Sequence, residues 1–265
     1  MDRSGEIMFT GYGNCYRLDA LELADEHVQN RHHWTHKTIE HFKETLAHPD
    51  FPCLFGRKAV TARTCHIIFA RAQQLADDIA RGLADYVRTV EPLPIKQRIG
   101  HPLLVFLETA PNTTLSDQQA LAWDVLRQVH ARDPQPWPEA VPQDPHDAHW
   151  SFCFAGMPLF INMSFPGHLQ MKSRNLGKHI AFVINARESF DEVASAQTES
   201  GQRIRARIRD RVRHYNDGVM PDTLGFFGHG DNFEWKQYQL QEPGSLNPAR
   251  CPFHTQATAD SLIEN

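Results

Sequence analysis

The fold turns on one stretch, Trp150–Arg187, which reads WSFCFAGMPLFINMSFPGHLQMKSRNLGKHIAFVINAR. Trp150–Ala155 and Leu159–Phe165 are apolar, β-prone runs on either side of Gly156-Met157-Pro158, and this pattern predicts a hairpin. Pro166-Gly167-His168 then turns the chain, and after a polar interval Ile180–Asn185 reads as another strand. Two further apolar runs, Thr64–Phe69 and Pro102–Glu108, read as buried strands.

Helical spacing appears between these strands. Ile39, Phe42 and Leu46 share one face of a helix over Thr35–Leu46, which Pro49 stops. Ala72 to Val90 keeps an apolar face over five turns until Pro92 and Pro94. Ser116 with Gln119 resembles a capping box for a helix whose inner face is Leu121, Val125 and Val129. Ser189 and Glu192 suit a short helix. A longer one follows Ser200, with Ile204, Ile208, Val212 and Tyr215 inward and Gly218 near its end.

Residues 133–149 carry five prolines and cannot be regular helix or central strand. They read as a surface excursion or a binding loop. The stretch 51–57 reads as a compact apolar loop, residues 1–30 as an irregular arm, and 242–265 as a loosely held tail. The alternation of strands and helices is irregular. The expected architecture is therefore α+β, a single domain over 1–265 with a mixed sheet flanked by helices.

Composition narrows the function. With 265 residues, 41% apolar and 22% charged, the chain can bury a core. A net charge of -5 removes any whole-protein electrostatic case for nucleic acid or anionic membrane. No apolar run approaches the ~18 residues of a membrane helix, and the start has no apolar core of a secretory signal. Five dispersed cysteines without a CxxC read as free thiols in a reducing cytoplasm. No P-loop, GxSxG or HExxH is present, and Gly11-Tyr12-Gly13-Asn14 supplies only GxG without a clear strand before it.

Several side chains could carry chemistry. On a helix, His32 and His36 would share a face and could grip a metal, the basis of a non-haem metal-enzyme reading; the same pattern also describes a polar helix entrance. Arginines at every second position from Arg203 to Arg213 fan over a helix, where one or two could reach an anion such as a propionate or phosphate. His168 is presented by a Pro-Gly turn, with Lys172 and Arg174 close behind. Imidazole to iron and cations to propionates would suit an iron porphyrin. Cys53 in FPCLFGR and Cys251 in Arg250-Cys251-Pro252-Phe253 each have an arginine nearby in sequence, Arg57 and Arg250.

FPCLFGR at 51–57, the block Phe160–Arg187 with SFPGH, SRNLG and FVINAR, Phe226-Phe227-Gly228, Glu234-Trp235-Lys236-Gln237-Tyr238, and Arg250-Cys251-Pro252-Phe253 together resemble the YqcI/YcgG family. The resemblance runs from about the first helix to the CPF segment. It implies a haem protein that N-hydroxylates a guanidino group, of arginine or an arginine-like small molecule, in natural-product biosynthesis. The cofactor expected is haem b, with O2 and an external electron donor. The axial ligand expected is His168, with Cys53 and Cys251 as alternatives; Lys172, Arg174 and Arg57 are expected at the propionates. A planar guanidinium calls for a carboxylate, for which Glu234 beside Trp235, and Asp217, are the candidates. A haem-binding sensor or carrier without turnover is the alternative reading.

Overall fold

The computed structural model describes residues 12–19, 34–110, 113–195, 197–221, 223–224 and 232–254. Along the chain these form β1 (Tyr16–Arg17), α1 (Trp34–Ala47), α2 (Leu54–Thr61), β2 (His66–Ala70), α3 (Leu75–Val90), α4 (Ile95–Arg98), β3 (Leu103–Leu107) and α5 (Leu115–His130). Then come β4 (Phe152–Phe154), β5 (Met157–Ser164), β6 (Ile180–Ala186), α6 (Glu188–Val193), α7 (Glu199–Tyr215) and α8 (Trp235–Tyr238). Lys172–Arg174 and Pro252–His254 are single 3-10 turns.

The strands form one six-stranded mixed sheet in the order β1-β2-β3-β6-β5-β4. β2 and β3 are parallel, joined by the α3 crossover, and the other pairs are antiparallel. The α+β mixed sheet expected from the sequence is the one observed.

Period-2 alternation divides the sheet between two cores. From β3, Leu103, Val105 and Leu107 join α3 and α5 on one face. Leu104 and Phe106 join Ile39, Phe42 and Leu46 of α1 on the other. In β5, Leu159, Ile161 and Met163 fill the first core. The intervening Asn162 and Ser164 line a cavity on the second face, whereas Phe160 packs against the edge of the first core and lines a neighbouring cavity. A cavity lies between Phe42 and Leu46 of α1, Phe55 and Gly56 of α2, and Asn162, Ser164, Val183 and Asn185 of β5 and β6.

Several local expectations need correcting. The 51–57 stretch is no simple loop, because α2 begins inside it at Leu54 with Cys53 as its N-cap. The cap of α5 is Thr114, which forms a capping box with Asp117, so the hydroxyl two residues earlier supersedes Ser116/Gln119. Leu121 is 36% exposed, and the inner face runs through Ala122, Trp123, Val125, Leu126 and Val129. The hairpin turns at Ala155-Gly156, one residue earlier than expected; Met157 already pairs with Phe154. Arg187 precedes α6 without a side-chain cap. Within the expected arm, Tyr16–Arg17 is an edge strand on β2. The expected tail is anchored, with Cys251 and Phe253 buried in the first core; residues 255–265 lie outside the described residues.

The 133–149 segment has no regular element, as its prolines require. It is pinned by Asp133, whose carboxylate accepts from Ala155 N at 2.9 Å, and by Trp137 stacked on Trp150 with centroids 6.3 Å apart.

Candidate functional site

The site begins with a sulfur at a helix start. Cys53 ends an extended approach after Pro52, and its Sγ accepts a hydrogen bond from Gly56 N at 3.2 Å. A Cβ at Gly56 would stand 3.1 Å from that sulfur, so glycine here permits the close approach. The sulfur lines a cavity walled by Phe42, Phe51, Phe55, Leu104, Val183 and Phe190, enclosing about 690 Å³ and partly open to solvent. Cys53 is exposed, and it is among the residues that line the cavity. Protein crowds the sulfur closely enough that burial raises its thiol pKa, while the Gly56 and Phe55 amides and the charge of Arg174 pull it down. Cys65 lines the same lobe, buried, with its thiol pushed up to about 12 by desolvation.

Two polar atoms belonging to residues of this lobe, Asn162 Oδ1 and Ser173 Oγ, are buried without a hydrogen-bond partner. Buried polar atoms are nearly always satisfied, so this pair marks a place where a ligand can supply the missing bonds.

A second lobe, about 720 Å³ including its open mouth, shares Phe55 and Phe190 with the first. Arg187, Arg205, Arg209 and Glu234 line it. Glu234 is 1% exposed. Its carboxylate accepts from Arg187 Nε at 2.5 Å, Ser151 Oγ at 2.6 Å and Tyr238 OH at 2.8 Å. Burial pushes the Glu234 carboxyl above its usual range, and Arg187, Ser151 and Tyr238 pull against that. Arg174, buried beneath, donates to the carbonyls of Tyr238 and Gln237, each at 3.1 Å. Burial lowers its guanidinium to about 9, so it remains charged at neutral pH.

Of the side chains singled out in the sequence, the structure gathers Cys53, Arg174 and Glu234 and disperses the rest. His168 does leave β5 on the Pro166-Gly167 turn, but it is locked to the C-terminal segment. A carboxylate can only accept, so Nδ1 donates to Glu242 Oε2, at 2.8 Å. Glu242 also accepts from the amides of Leu169 and Met171, at 2.9 and 2.8 Å. His168 lines neither lobe. Lys172 and Asp217 are exposed and ion-paired with each other, away from the cavity. Asp217, at φ 53, ends α7 together with Gly218 at φ 94, a helix-terminating turn. Arg57 turns outward to donate to Pro49 O at 2.9 Å. Cys251 is buried in the first core with its thiol pushed up to about 12. His32 and Phe226-Phe227-Gly228 lie outside the described residues. His36 faces Glu40 at 3.4 Å. Among the described residues no three His, Cys, Asp or Glu side chains are grouped to hold a metal ion.

The His168–Glu242 clamp sets an acid limit on stability. Burial holds the His168 imidazole below its ordinary value of 6.5, although Glu242 opposes the shift. Burial works to raise the Glu242 carboxyl, but the Leu169 and Met171 amides and His168 outweigh it and hold it below 4.5. Both native pKa values are depressed, so both contributions are present at neutral pH and lost on acidification. The His168 loss starts near pH 6.5, where the unfolded chain takes up the proton first, and is complete once pH falls through the lowered native value. Urea unfolding of His168→Gln should therefore decline less between pH 7 and 5 than that of the wild type. Parallel declines would contradict this assignment.

Sequence reasoning overlooked Arg187, Asn162, Ser173 and the shared rings Phe55 and Phe190 as wall residues. A signal was available. Asn162 and Ser164 in β5, and Asn185 in β6, place polar groups on a face that is otherwise apolar, which marks incomplete cover. The alternating arginines likewise contained Arg205 and Arg209, which do reach the cavity.

The YqcI/YcgG family profile matches residues 42–254. A Streptomyces lavendulae protein named "Putative N(omega)-hydroxy-L-arginine synthase DcsA" is 39% identical over 224 residues, covering 83% of this chain and 84% of that one. The Bacillus subtilis proteins YcgG and YqcI, both named as uncharacterized, are 31% and 27% identical, covering 90% and 83% of this chain and 94% and 87% of their own. No solved structure matches significantly. The matched span takes in the Cys53 cap, both lobes and the Glu242 clamp, and with it the whole described cavity; the chain belongs to the YqcI/YcgG family.

Proposed function

We propose that the protein is a haem-dependent oxygenase that N-hydroxylates the guanidino group of arginine or an arginine-like small molecule, using O2 and electrons from an external donor. The observation that carries this reading is the placement of Cys53, a helix-capping sulfur on the wall of an aromatic cavity. The name of DcsA supports the substrate class.

The donor set suits an iron porphyrin. Haem needs one strong protein ligand, flat apolar walls and cations for its carboxylates. Cys53 is the ligand in this reading; burial raises its thiol pKa overall, and the Gly56 N–H and the Arg174 charge offset part of that rise, so binding the iron would itself have to displace the proton. His168 and Cys251, held in other packing environments, are not. When bound, haem supplies the activation of O2 that no protein side chain can. The chain's own residues do the rest. The phenylalanine rings of the first lobe exclude bulk water. Asn162 Oδ1 and Ser173 Oγ offer acceptor positions to a guanidinium, which is all donors. Glu234 acts as the partner that holds Arg187 in the wall rather than as the guanidinium's own carboxylate.

The test is product formation. Hemin-loaded protein given L-arginine, O2 and a chemical or enzymatic reductant should yield arginine one oxygen heavier, identified by mass spectrometry as Nω-hydroxyarginine. A loaded, reducible protein that perturbs its spectrum with arginine but forms no oxygenated product would leave a sensor or carrier.

A further inference from the structure

Helix α7 is strongly basic, with arginines at every second position from Arg203 to Arg213 against the carboxylates of Glu199 and Asp210, in a chain whose net charge is -5. At helical spacing Arg203, Arg207 and Arg213 fall on one arc opposite the buried Val212, and all three are exposed. The arc runs about 15 Å along the helix at the usual rise per residue. Arg203 pairs with Glu199 at 3.4 Å, with both side chains largely in solvent. Arg207 and Arg213 make no ion pair among the described residues. Asp210, three residues from each, offsets part of the charge of this face. Arg203 and Arg207 stand four apart, a like-charge pair that weakens a helix on its own.

The same helix holds the loop that leads into Cys53. Arg211 Nη2 donates to Phe51 O at 2.7 Å and to Pro49 O at 2.8 Å, and Tyr215 packs edge-on against Phe51 with centroids 5.6 Å apart. His214 reaches Asp50 at 3.9 Å. Phe51 is two residues from Cys53, so one hydrogen bond and a short run of backbone join α7 to the sulfur. On its inner side, Ile208 lines the second lobe. Electron transfer between proteins falls off steeply with distance and is served by small, brief encounters that charge steers. On a chain that is acidic as a whole, a local cationic face gives an acidic partner one orientation of approach.

We infer that the exposed arginine face of α7, formed by Arg203, Arg207 and Arg213, is the docking surface of the external electron donor, and that this donor is a small acidic one-electron carrier protein. The inference rests on the oxygenase reading, which requires a donor and does not identify it. In each encounter the reduced carrier loses one electron and ferric haem gains it, with no bond made or broken.

The probe is an acidic plant-type [2Fe–2S] ferredoxin, kept reduced by NADPH and its reductase. Its binding to the full chain is measured by calorimetry with and without hemin. Reduction of the hemin-loaded protein is followed under carbon monoxide by the growth of the ferrous–CO band, with dithionite as the reductant that needs no docking. The same measurements are made on R203E/R207E/R213E, and on R207Q/R213Q should the charge reversal fail a circular-dichroism check. Steering of this kind accelerates association by about tenfold or more. Wild-type protein should bind the ferredoxin, with binding and reduction both weakening as salt rises. The variant should be reduced by ferredoxin at least about tenfold more slowly at low salt, and by dithionite at the wild-type rate. Equal ferredoxin rates and equal salt dependence in the two proteins would overturn the docking face and leave the oxygenase reading standing. Ferredoxin binding that the substitutions abolish, in a protein that never takes up hemin, would keep the face as an acidic-protein site and discard the haem. No binding of ferredoxin to the wild type would overturn the inference, as would tighter binding of a DNA duplex or of anionic lipid vesicles through the same arginines.

Discussion

Cys53→Ala should abolish tight hemin binding, a loss larger than the about 10- to 100-fold that changes around a metal ligand usually cost. The reason is local. Among the described residues lining the first lobe, Cys53 is the one whose donor atom is also held by a helix-start amide. Cys65 shares the lobe, but it is 1% exposed and packs in the second core. Cys65→Ser should accordingly keep the spectrum. So should His168→Ala, because His168 is committed to Glu242 and lines neither lobe. The pattern across the three variants decides the ligand. Loss of the Soret band in His168→Ala, with Cys53→Ala unaffected, would return the iron to the Pro-Gly-His turn.

The second large effect falls on stability. Arg187 and Glu234 form a buried ion pair, 5% and 1% exposed, that ties the end of β6 to α8 across the second lobe. Removing Glu234 takes away the buried partner of Arg187, which still reaches Asp191 at 3.4 Å, and breaking a buried pair in this way costs about 3–5 kcal/mol. Glu234→Ala should lower the unfolding free energy by that amount in urea titrations. It also deprives the Ser151 and Tyr238 hydroxyls of their acceptor. Arg187→Met/Glu234→Leu should cost clearly less than the sum of the single changes, because neither charge then loses its buried partner. Additive losses would show that the pair is not coupled as its geometry implies.

Much of this architecture was legible in the residues. The strands β2, β3 and β6 are nearly unbroken apolar runs because both faces of the sheet are covered, and the amphipathic spacing of α1 and α3 fixed what covers them. Helix starts were less legible. Thr114 and Ser116 are both hydroxyls at the right distance from a polar partner, and only the backbone decides between them. The start of α2 was hidden because sulfur is an uncommon cap, so FPCLFGR read as a loop. The site suffered from the same cause. His168, Lys172 and Arg174 lie within seven residues of one another, yet one faces a carboxylate clamp, one solvent and one the buried wall. Sequence proximity carries no information about which side of a turn a side chain takes. Arg187, Arg205 and Glu234 converge from three elements, and such long-range meetings depend on topology that no local pattern records.

In the proposed function, Cys53 is the protein's grip on an iron porphyrin. The most direct measurement is the absorption spectrum of purified protein titrated with hemin, then reduced under carbon monoxide. A stoichiometric endpoint with the strongly red-shifted ferrous–CO band characteristic of a thiolate ligand is the predicted result. No saturable uptake of hemin, or a ferrous–CO band of the histidine type, would contradict it.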